Sequence, residues 1–329
     1  MFISKMEYKE KDLEAIEVLK DFLPDKIFDA HAHICDEIFA PSIKGMRLDF
    51  NQYKADMLRA LCEPKEIRAN LIVFPEKSLK GEASETRKLS DEFLINELKL
   101  HPECVGEIVV APGDRAEDIE KRLSHPNVKG LKCYHVYADN SPTWERDIEE
   151  YLPESAWFVA DKRGMAITLH MVKEKSLADG GNQKYITEMA KKYPNAKLIL
   201  AHAARSFAAW TGVESVEKIA HIENVLFDFS AVCESPAMLQ IIKKAGIKRC
   251  MWGSDFPVCR PRGKVVSIGD SFYWIYQNDI DSFVSATPIS SRLYIIEGLM
   301  AVREASILAD LKEKDLEDLF YNNAKNLWG

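Results

Sequence analysis

The chain has 329 residues, of which 47% are hydrophobic and 29% are charged, and its net charge at pH 7 is −8. This balance is typical of a soluble globular protein, and a negative chain without a basic run argues against a nucleic-acid partner. No apolar run is long enough to span a bilayer, and the N-terminal segment lacks the pattern of a secretory signal. Seven scattered cysteines suit a reducing compartment. We therefore expect a cytoplasmic protein without a membrane partner.

After a leading helix over residues 8–22, which Pro24 ends, eight short apolar runs alternate with segments of helical periodicity. The runs are IFDAH, IRANLIVF, CVGEIVVA, VKGLKCY, MAITLHM, AKLILAH, NVLFDFS and KRCMWGSD. The helical segments include SDEFLINELKLH, RAEDIEKRLS, WERDIEEYLPESAWFVADKR, NQKYITEMAKKY and PAMLQIIKKAG. Continuous apolar strands that are separated by helices indicate parallel strands buried on both faces.

Eight such strand–helix units predict an α/β fold, the (β/α)8 TIM barrel, with the leading helix and extra C-terminal helices added. A doubly wound open sheet is the alternative, but no G-x-G-x-x-G follows the first strand. No linker divides the chain, so we expect one domain over residues 1–329, with the barrel proper from about residue 26. The apolar spacing of residues 290–311 predicts a long helix or a pair of helices packed against the barrel. Its surplus apolar surface would serve either a homodimer interface or the core.

Polar side chains collect at the carboxyl ends of these strands, where the active sites of TIM barrels lie. In chain order they are His31, His33, Lys132, Tyr134, His135, His170, His202 and Asp255. Strand eight of a barrel closes against strand one, so Asp255 is expected beside His31 and His33. His170 reaches in from across the mouth. Three imidazoles and a carboxylate suit Zn²⁺ or a similar divalent ion, whereas each residue taken alone suits a satisfied core or loop group.

A divalent ion at this place would support hydrolysis, because it lowers the pKa of a water from about 15.7 to about 7. Asp255 can accept the proton and later pass it to a leaving group, and His202 can polarise a carbonyl or orient the water. The alternatives are a turn role for Asp255 and a buried imidazole for His202. Serine chemistry is disfavoured, since no G-x-S-x-G elbow is present. Cys35, Cys133 and Cys259 are expected as small buried hydrophobes rather than thiols that tune the site.

The stretches FDAHAH, LHMV, LAHAARS, MWGSDFPV and NNAKNLWG together resemble the amidohydrolase superfamily. The resemblance covers about residues 26–329 and is strongest to the branch with aminocarboxymuconate semialdehyde decarboxylase and the pyrone dicarboxylate lactonases. It implies one divalent ion, with zinc as the first choice and manganese as the second, and His202 as the catalytic histidine. The implied ligands are His31, His33, His170 and Asp255.

The chain departs from this branch after the fourth strand. The branch commonly has G-[IL]-K-[ILV]-H-P there, whereas this chain reads GLKCYHVY. Lys132 matches, Tyr134 takes the place of the histidine, and His135 comes next. In other branches the lysine is carbamylated and bridges two metals, but the resemblance to this branch favours a mononuclear site. These three residues are expected to touch the substrate.

Three functions remain open at the sequence level. The first is metal-dependent hydrolysis of a C–O or C–N bond, such as that of a lactone. The second is non-oxidative decarboxylation on the same site, which would make the enzyme a lyase. The third is a barrel without activity that binds a ligand. The complete set of metal-binding residues argues against the third function, but fold and ligands are common to the first two.

Cations near the predicted mouth indicate an acidic substrate. Arg260, Arg262 and Lys264 follow Asp255 closely, and Arg205 follows His202 by three residues. In a negative chain, such a group predicts a local positive funnel, and arginine binds carboxylates with two bonds. The alternative is pairing of these cations with neighbouring acidic residues. The aromatic residues that could wall a flat substrate are Trp210, Trp252, Tyr273 and Trp274. We expect a small carboxylated substrate.

Overall fold

The computed structural model describes residues 6–43, 45–80, 85–282 and 289–329. Its strands are β1 Lys26–Asp36, β2 Arg47–Leu48, β3 Glu66–Val73, β4 Val105–Val109, β5 Val128–Tyr134, β6 Ala166–His170, β7 Lys197–Leu200, β8 Val225–Asp228, β9 Cys250–Met251, β10 Gly263–Ile268 and β11 Ser271–Tyr276. Its helices are α1 Glu10–Leu19, α2 Phe50–Met57, α3 Glu85–Leu100, α4 Ala116–Arg122, α5 Glu154–Arg163, α6 Gly180–Lys192, the left-handed turn α7 Ala201–Arg205, α8 Ala209–Ser215, α9 Ser235–Ala245, α10 Gln277–Ser282, α11 Tyr294–Leu308, α12 Glu313–Glu317 and α13 Asn323–Trp328.

Eight parallel strands form the barrel. The sheet has the order β2-β1-β3-β4-β5-β6-β7-β8-β9, and only β2 is antiparallel to its neighbour. The segment after β9 returns to β1, because the amide of Ala30 donates to Trp252 O (3.0 Å) and the amide of His33 donates to Phe256 O (2.7 Å). A parallel bridge between Ala32 and Phe256 continues this contact. The predicted (β/α)8 barrel is confirmed, and the open sheet is excluded.

All eight predicted strands occur, but two helix predictions were too long. Residues 143–150 form two short 3-10 turns, and α5 begins only at Glu154. Pro153 explains this delay, since proline disfavours helical backbone in the residue before it and suits the start of a helix. The leading helix is likewise shorter than predicted, from Glu10 to Leu19. The hairpin β10–β11, whose strands are joined at Gly269 and Asp270, was not predicted at all.

The C-terminal elements close the end of the barrel opposite the mouth. The ring of Phe28, near the start of β1, lies 5.7 Å from the ring of Trp328 and 6.3 Å from that of Tyr321. The amide of Trp252 donates to the carbonyl oxygen of Leu319, in the π-helical turn Asp318–Asn322 that precedes α13 (2.9 Å). The predicted C-terminal helices are therefore part of the same apolar core as the strands.

Helix α11 is one helix rather than a pair, and it packs against α1. Its last turn leaves Ile307 and Leu308 59% and 55% exposed, beside Val18, which is 44% exposed. The pairing of two copies through this face stays a prediction. None of the described helices combines the length and the apolar composition that a bilayer crossing requires.

Candidate metal centre and active site

Three predicted ligands meet at the barrel mouth. The Nε2 atoms of His31 and His33 are 3.3 Å apart, and Asp255 Oδ1 lies 3.7 Å from the first and 3.3 Å from the second. All three side chains are buried, and their ligand atoms lie within 4.8 Å of one another. The bond from the amide of Asp255 to His31 O (2.8 Å) that closes the barrel also sets this juxtaposition.

Hydrogen bonds turn the two imidazoles towards a common point. His31 Nδ1 lies 3.0 Å from Asp228 Oδ2, and His33 Nδ1 lies 3.3 Å from the carbonyl oxygen of Ile72. When Nδ1–H donates to these acceptors, each Nε2 carries the lone pair that a metal binds. Burial lowers the pKa of His33 to about 3 and that of His31 well below its usual value, and the nearby Lys132 lowers both further. Both rings are therefore neutral, as metal binding requires.

Asp228 holds several parts of this centre and was missed in the sequence. Besides contacting His31, its Oδ1 accepts from the amides of His202 (3.1 Å) and Ser230 (3.0 Å) and from the Ser230 hydroxyl. Carboxylates of this kind orient metal-binding histidines. The available signal was an acidic residue at the end of the apolar run NVLFDFS. Asp29 was also missed; its Oδ1 accepts from the His31 amide (2.9 Å), and burial raises the pKa of its carboxyl to about 6.

His170 and His202 lie against each other beside the three converging ligands. His170 Nδ1 is 3.1 Å from His202 Nε2, and His202 Nδ1 is 2.9 Å from Ser230 Oγ and 3.2 Å from Ser230 O. With His202 Nδ1–H donating to Ser230, its Nε2 accepts from His170, which leaves His170 Nε2 without a proton. The His202 ring also stacks on His31 at 5.1 Å. Among the described residues, a second group of converging atoms comprises His31, His202 and Asp228, and His170 belongs to neither group.

The turn α7 places two functional side chains at the mouth through an unusual backbone. His202, Ala203, Ala204 and Arg205 all have positive φ, between 51° and 58°. Left-handed helical backbone costs about 1–2 kcal/mol for each residue with a side chain. Residues three apart share one side of such a turn, so His202 and Arg205 face the same region. Asp255 also has positive φ, of 55°, and strained backbone of this kind concentrates at functional sites.

The residues at the end of β5 line the site as predicted from their position. Lys132 Nζ is 3.2 Å from His31 Nε2, and burial lowers the pKa of this amine. The Tyr134 ring lies 4.3 Å from the His170 ring. His135 is buried, with Nδ1 2.9 Å from Thr143 Oγ1, and burial and the charge of Arg205 lower its pKa to about 4.

A polar layer inside the barrel was not foreseen. Glu107 Oε1, on β4, accepts from Asn70 Nδ2 on β3 (3.0 Å) and from Thr168 Oγ1 on β6 (2.8 Å). Burial raises the pKa of the Glu107 carboxyl to about 7, although the ammonium of Lys132 lowers it. Thr168 lies two residues before His170 on β6, and Glu107 interacts with the charge of Lys132 on β5, so this layer supports the centre.

In the described part of the chain, the cations of the loop after β9 pair with carboxylates rather than forming the expected positive funnel. Arg260 Nε lies 3.2 Å from Asp56 Oδ2, and Arg262 Nη2 lies 2.6 Å from Asp12 Oδ2. Lys264 pairs with Glu297 at 3.5 Å. The pairing alternative is therefore what the structure contains, because buried charges need opposite charges close by. The substrate-binding roles predicted for Arg260 and Arg262 have no support in this geometry.

One residue of the predicted aromatic wall, Trp274, lies near the site. Its ring packs on that of Phe207 (5.3 Å between ring centres), and the Phe207 ring stacks on that of His202 (5.3 Å). Trp252 instead packs in the core against Phe320. Trp210 donates to Asp270 O, and Tyr273 is more than half exposed.

The three cysteines near the mouth, Cys35, Cys133 and Cys259, are buried and unpaired, and burial raises the pKa of each thiol. They are small buried hydrophobes, as expected.

Comparison with known proteins agrees with this geometry. The amidohydrolase family model Amidohydro_2 matches residues 28–329. The chain belongs to the amidohydrolase family. No curated protein matches it in sequence. Solved structures with the same fold include 5-carboxyvanillate decarboxylase from Sphingomonas paucimobilis, at 12% identity and a TM-score of 0.58 over 92% of this chain and 98% of that one.

Two other amidohydrolase-like structures show the same fold. A zinc-bound amidohydrolase from Burkholderia multivorans has 13% identity and a TM-score of 0.59, over 92% of this chain and 98% of that one. A protein named as a 2-pyrone-4,6-dicarboxylic acid hydrolase, from Pseudomonas putida, has 14% identity and a TM-score of 0.57, over 92% and 97%. Both decarboxylases and hydrolases thus share the architecture of this amidohydrolase.

Proposed function

We propose that this amidohydrolase is a metal-dependent hydrolase that acts on a small carboxylated substrate, such as a lactone. The observation that carries the proposal is the convergence of two neutral imidazole nitrogens and the Asp255 carboxylate at the barrel mouth. The residues proposed to hold one divalent ion are His31, His33, His170 and Asp255. Zinc is the first choice and manganese the second, because both accept nitrogen and carboxylate ligands. When bound, such an ion acts as a Lewis acid and acidifies water.

Asp255 is proposed to move the proton in the reaction. Burial raises the pKa of its carboxyl to about 6, although the nearby His202 and Lys132 lower it. A carboxyl with a pKa near neutrality can both accept and release a proton during turnover. His202 is proposed as the catalytic histidine, which orients the reacting carbonyl or water from beside the ion. Burial lowers the pKa of His202 to about 4, so it acts as a neutral ring.

Non-oxidative decarboxylation is the second candidate function. Two decarboxylases are among the structures with this fold, acting by name on 5-carboxyvanillate and 2,6-dihydroxybenzoate. On the same residues, a proton held at Asp255 would pass to the carbon that loses its carboxylate. A barrel that only binds a ligand is the third possibility, and the convergence of His31, His33 and Asp255 argues against it.

The test is a screen of the metal-loaded protein against carboxylated lactones, aromatic acids and neutral amides. Ring opening and carbon dioxide release are followed in parallel, with Asp255→Asn as the inactive control. We expect ring opening of an acidic substrate. Carbon dioxide release would make the enzyme a lyase, and turnover confined to neutral amides would contradict an acidic substrate. Protein that neither binds nor is activated by zinc or manganese would refute the metal-dependent function.

A further inference from the structure

Arg205 is a buried cation at the mouth without an acidic partner. The residue is 8% exposed, and its Nη1 donates to the carbonyl oxygen of Lys173 (3.1 Å) and to Ser176 Oγ (3.4 Å). In the described part of the chain it forms no ion pair within 4.0 Å, unlike Arg260 and Arg262. A buried charge that lacks a counter-charge is costly, which indicates that the counter-charge comes from a ligand.

One edge of the Arg205 guanidinium, formed by Nε and Nη2, has no hydrogen-bond partner among the described residues. Nε is buried and has no hydrogen-bond partner among the described residues, and Nη2 donates to none of them either. The Nε–Nη2 edge has the fork geometry that binds the two oxygens of a carboxylate. Because Nη1 is already anchored to Lys173 and Ser176, the orientation of this edge is set before a ligand arrives.

Two aromatic rings flank the same group. The guanidinium carbon lies 5.2 Å from the ring centre of Phe272, on β11, and 5.7 Å from that of Trp144, in the 3-10 turn after β5. Cation–π contacts at these distances favour the charged form and exclude water. Because Arg205 is only 8% exposed, a carboxylate at its free edge would be attracted more strongly than one at an exposed arginine.

Two further unpartnered polar groups lie between Arg205 and the metal-binding residues. His135 Nε2 is buried without a hydrogen-bond partner in the described residues, and the His135 ring lies 4.1 Å from the Trp144 ring. The Tyr134 ring lies 4.7 Å from that of His135 and 4.3 Å from that of His170. The Tyr134 hydroxyl forms no hydrogen bond with a described residue. Tyr134 and His135 therefore connect Arg205 to the reaction centre.

We propose that the Nε–Nη2 edge of Arg205 binds a substrate carboxylate that is not the reacting group. This inference rests on the proposed function and specifies its substrate. Tyr134 and His135 hydrogen-bond the part of the substrate between this carboxylate and the metal centre. The substrate class is a small acid with a second functional group: a carboxylated lactone or ester for a hydrolase, or a dicarboxylate for a decarboxylase.

The test is calorimetric titration of benzoate and its neutral analogue benzamide into wild type and Arg205→Met, each with zinc bound and after chelation. We expect benzoate to bind wild-type protein in both metal states and to bind Arg205→Met at least about tenfold more weakly, which corresponds to about 1.4 kcal/mol. Benzamide binding should be weak and equal in both proteins. Arg163→Met is the matched control, since this arginine is exposed on α5 and pairs with Glu120, and its benzoate affinity should equal that of wild type.

If Arg205→Met does not fold, Arg205→Lys tests the proposal instead. This variant keeps the positive charge but loses the planar guanidinium that binds a carboxylate with two hydrogen bonds. We expect it to lose benzoate affinity several-fold at an unchanged melting temperature. Equal benzoate affinity in wild type and the Arg205 variants would overturn the proposal, and so would binding that requires zinc and is indifferent to Arg205. A failure of the proposed function would give a different result. Benzoate binding would then depend on Arg205, but the metal-loaded protein would turn over no compound of the screen.

Discussion

At the scale of single residues, each imidazole proposed to bind the metal has one ring nitrogen engaged by the protein. Asp228 engages His31, a backbone carbonyl engages His33, and His202 engages His170. The Nε2 atoms of His31 and His33 are thereby directed to a common point before any ion binds. This arrangement separates residues that bind the ion from residues that position them, and substitution can distinguish the two roles.

We predict that His31→Ala and His170→Ala remove the metal, whereas His202→Ala retains most of it and loses turnover at least a hundredfold. The reason is that the first two rings are proposed ligands, whereas His202 is the proposed catalytic histidine, and loss of one group that stabilises the reacting oxygen typically costs about 100–1,000-fold in turnover. Elemental analysis and the substrate assay measure the two effects. His221→Ala, at an exposed histidine, is the control. A His202→Ala protein that loses metal as completely as His170→Ala would contradict this division.

At the scale of elements, the loop after β9 is bound to the leading helix by a buried ion pair. Arg262 Nη2 contacts Asp12 Oδ2 (2.6 Å) and the carbonyl oxygen of Glu7 (2.8 Å), while Asp12 Oδ1 accepts from the Leu293 amide (2.9 Å). Asp12 is fully buried. Arg262 therefore joins α1, this loop and the start of α11, and its role is structural.

We predict that Arg262→Met lowers the free energy of unfolding by about 3–5 kcal/mol, because it leaves the Asp12 carboxylate buried without its counter-charge. Urea unfolding measures this change. The double variant with Asp12→Asn should recover part of the loss, since no lone charge then remains. A loss below about 1 kcal/mol in the single variant would show that the pair is not needed to hold α1.

The polar layer on β3, β4 and β6 predicts a pH dependence of stability. Burial raises the pKa of Glu107 from its ordinary value of 4.5 to about 7 in the folded protein, although Lys132 lowers it. The folded state thus holds an extra proton between these values, so this carboxyl makes the free energy of unfolding fall as pH rises from about 4.5 to 7.

Glu107→Gln removes this titration. We predict that the stability of the variant relative to wild type rises between pH 5 and pH 8, on the order of 2–3 kcal/mol. Urea unfolding of the metal-free proteins at both pH values measures the difference. Glu92→Gln, at an exposed carboxyl on α3, should show no such trend. A pH-independent difference for Glu107→Gln would contradict the raised pKa.

At the scale of the whole molecule, the exposed end of α11 is where two copies are expected to pair. We predict that light scattering at micromolar concentration gives particles of twice the 37.4 kDa chain mass. Ile307→Glu and Leu308→Glu should shift the protein to single chains, because each places a charge on an apolar face. Val213→Glu, at another partly exposed apolar residue, is the control. If the wild type gives only particles of 37 kDa, the dimer prediction is wrong.

The barrel was predictable because its strands are recognisable from local patterns. Each strand is a short apolar run between helical segments, and the ends of parallel strands share one edge, so the placement of His31, His33 and Asp255 followed from strand order. The failures were also local. Pro153 shortened a predicted helix, and the hairpin β10–β11 was overlooked although Gly269 and Asp270 separate two β-rich runs.

The amino-acid sequence by itself determined the strand count, the mouth residues and the chemistry that the mouth can support, since these depend on periodicity and residue type. Only the tertiary structure decided which charges are neutralised. Arg260 and Arg262 pair with Asp56 and Asp12, which are distant in sequence, whereas Arg205 contacts aromatic rings and forms no ion pair within 4.0 Å with a described carboxylate. Pairing between distant residues depends on how the barrel closes and the loops pack, so it cannot be predicted from periodicity along the chain.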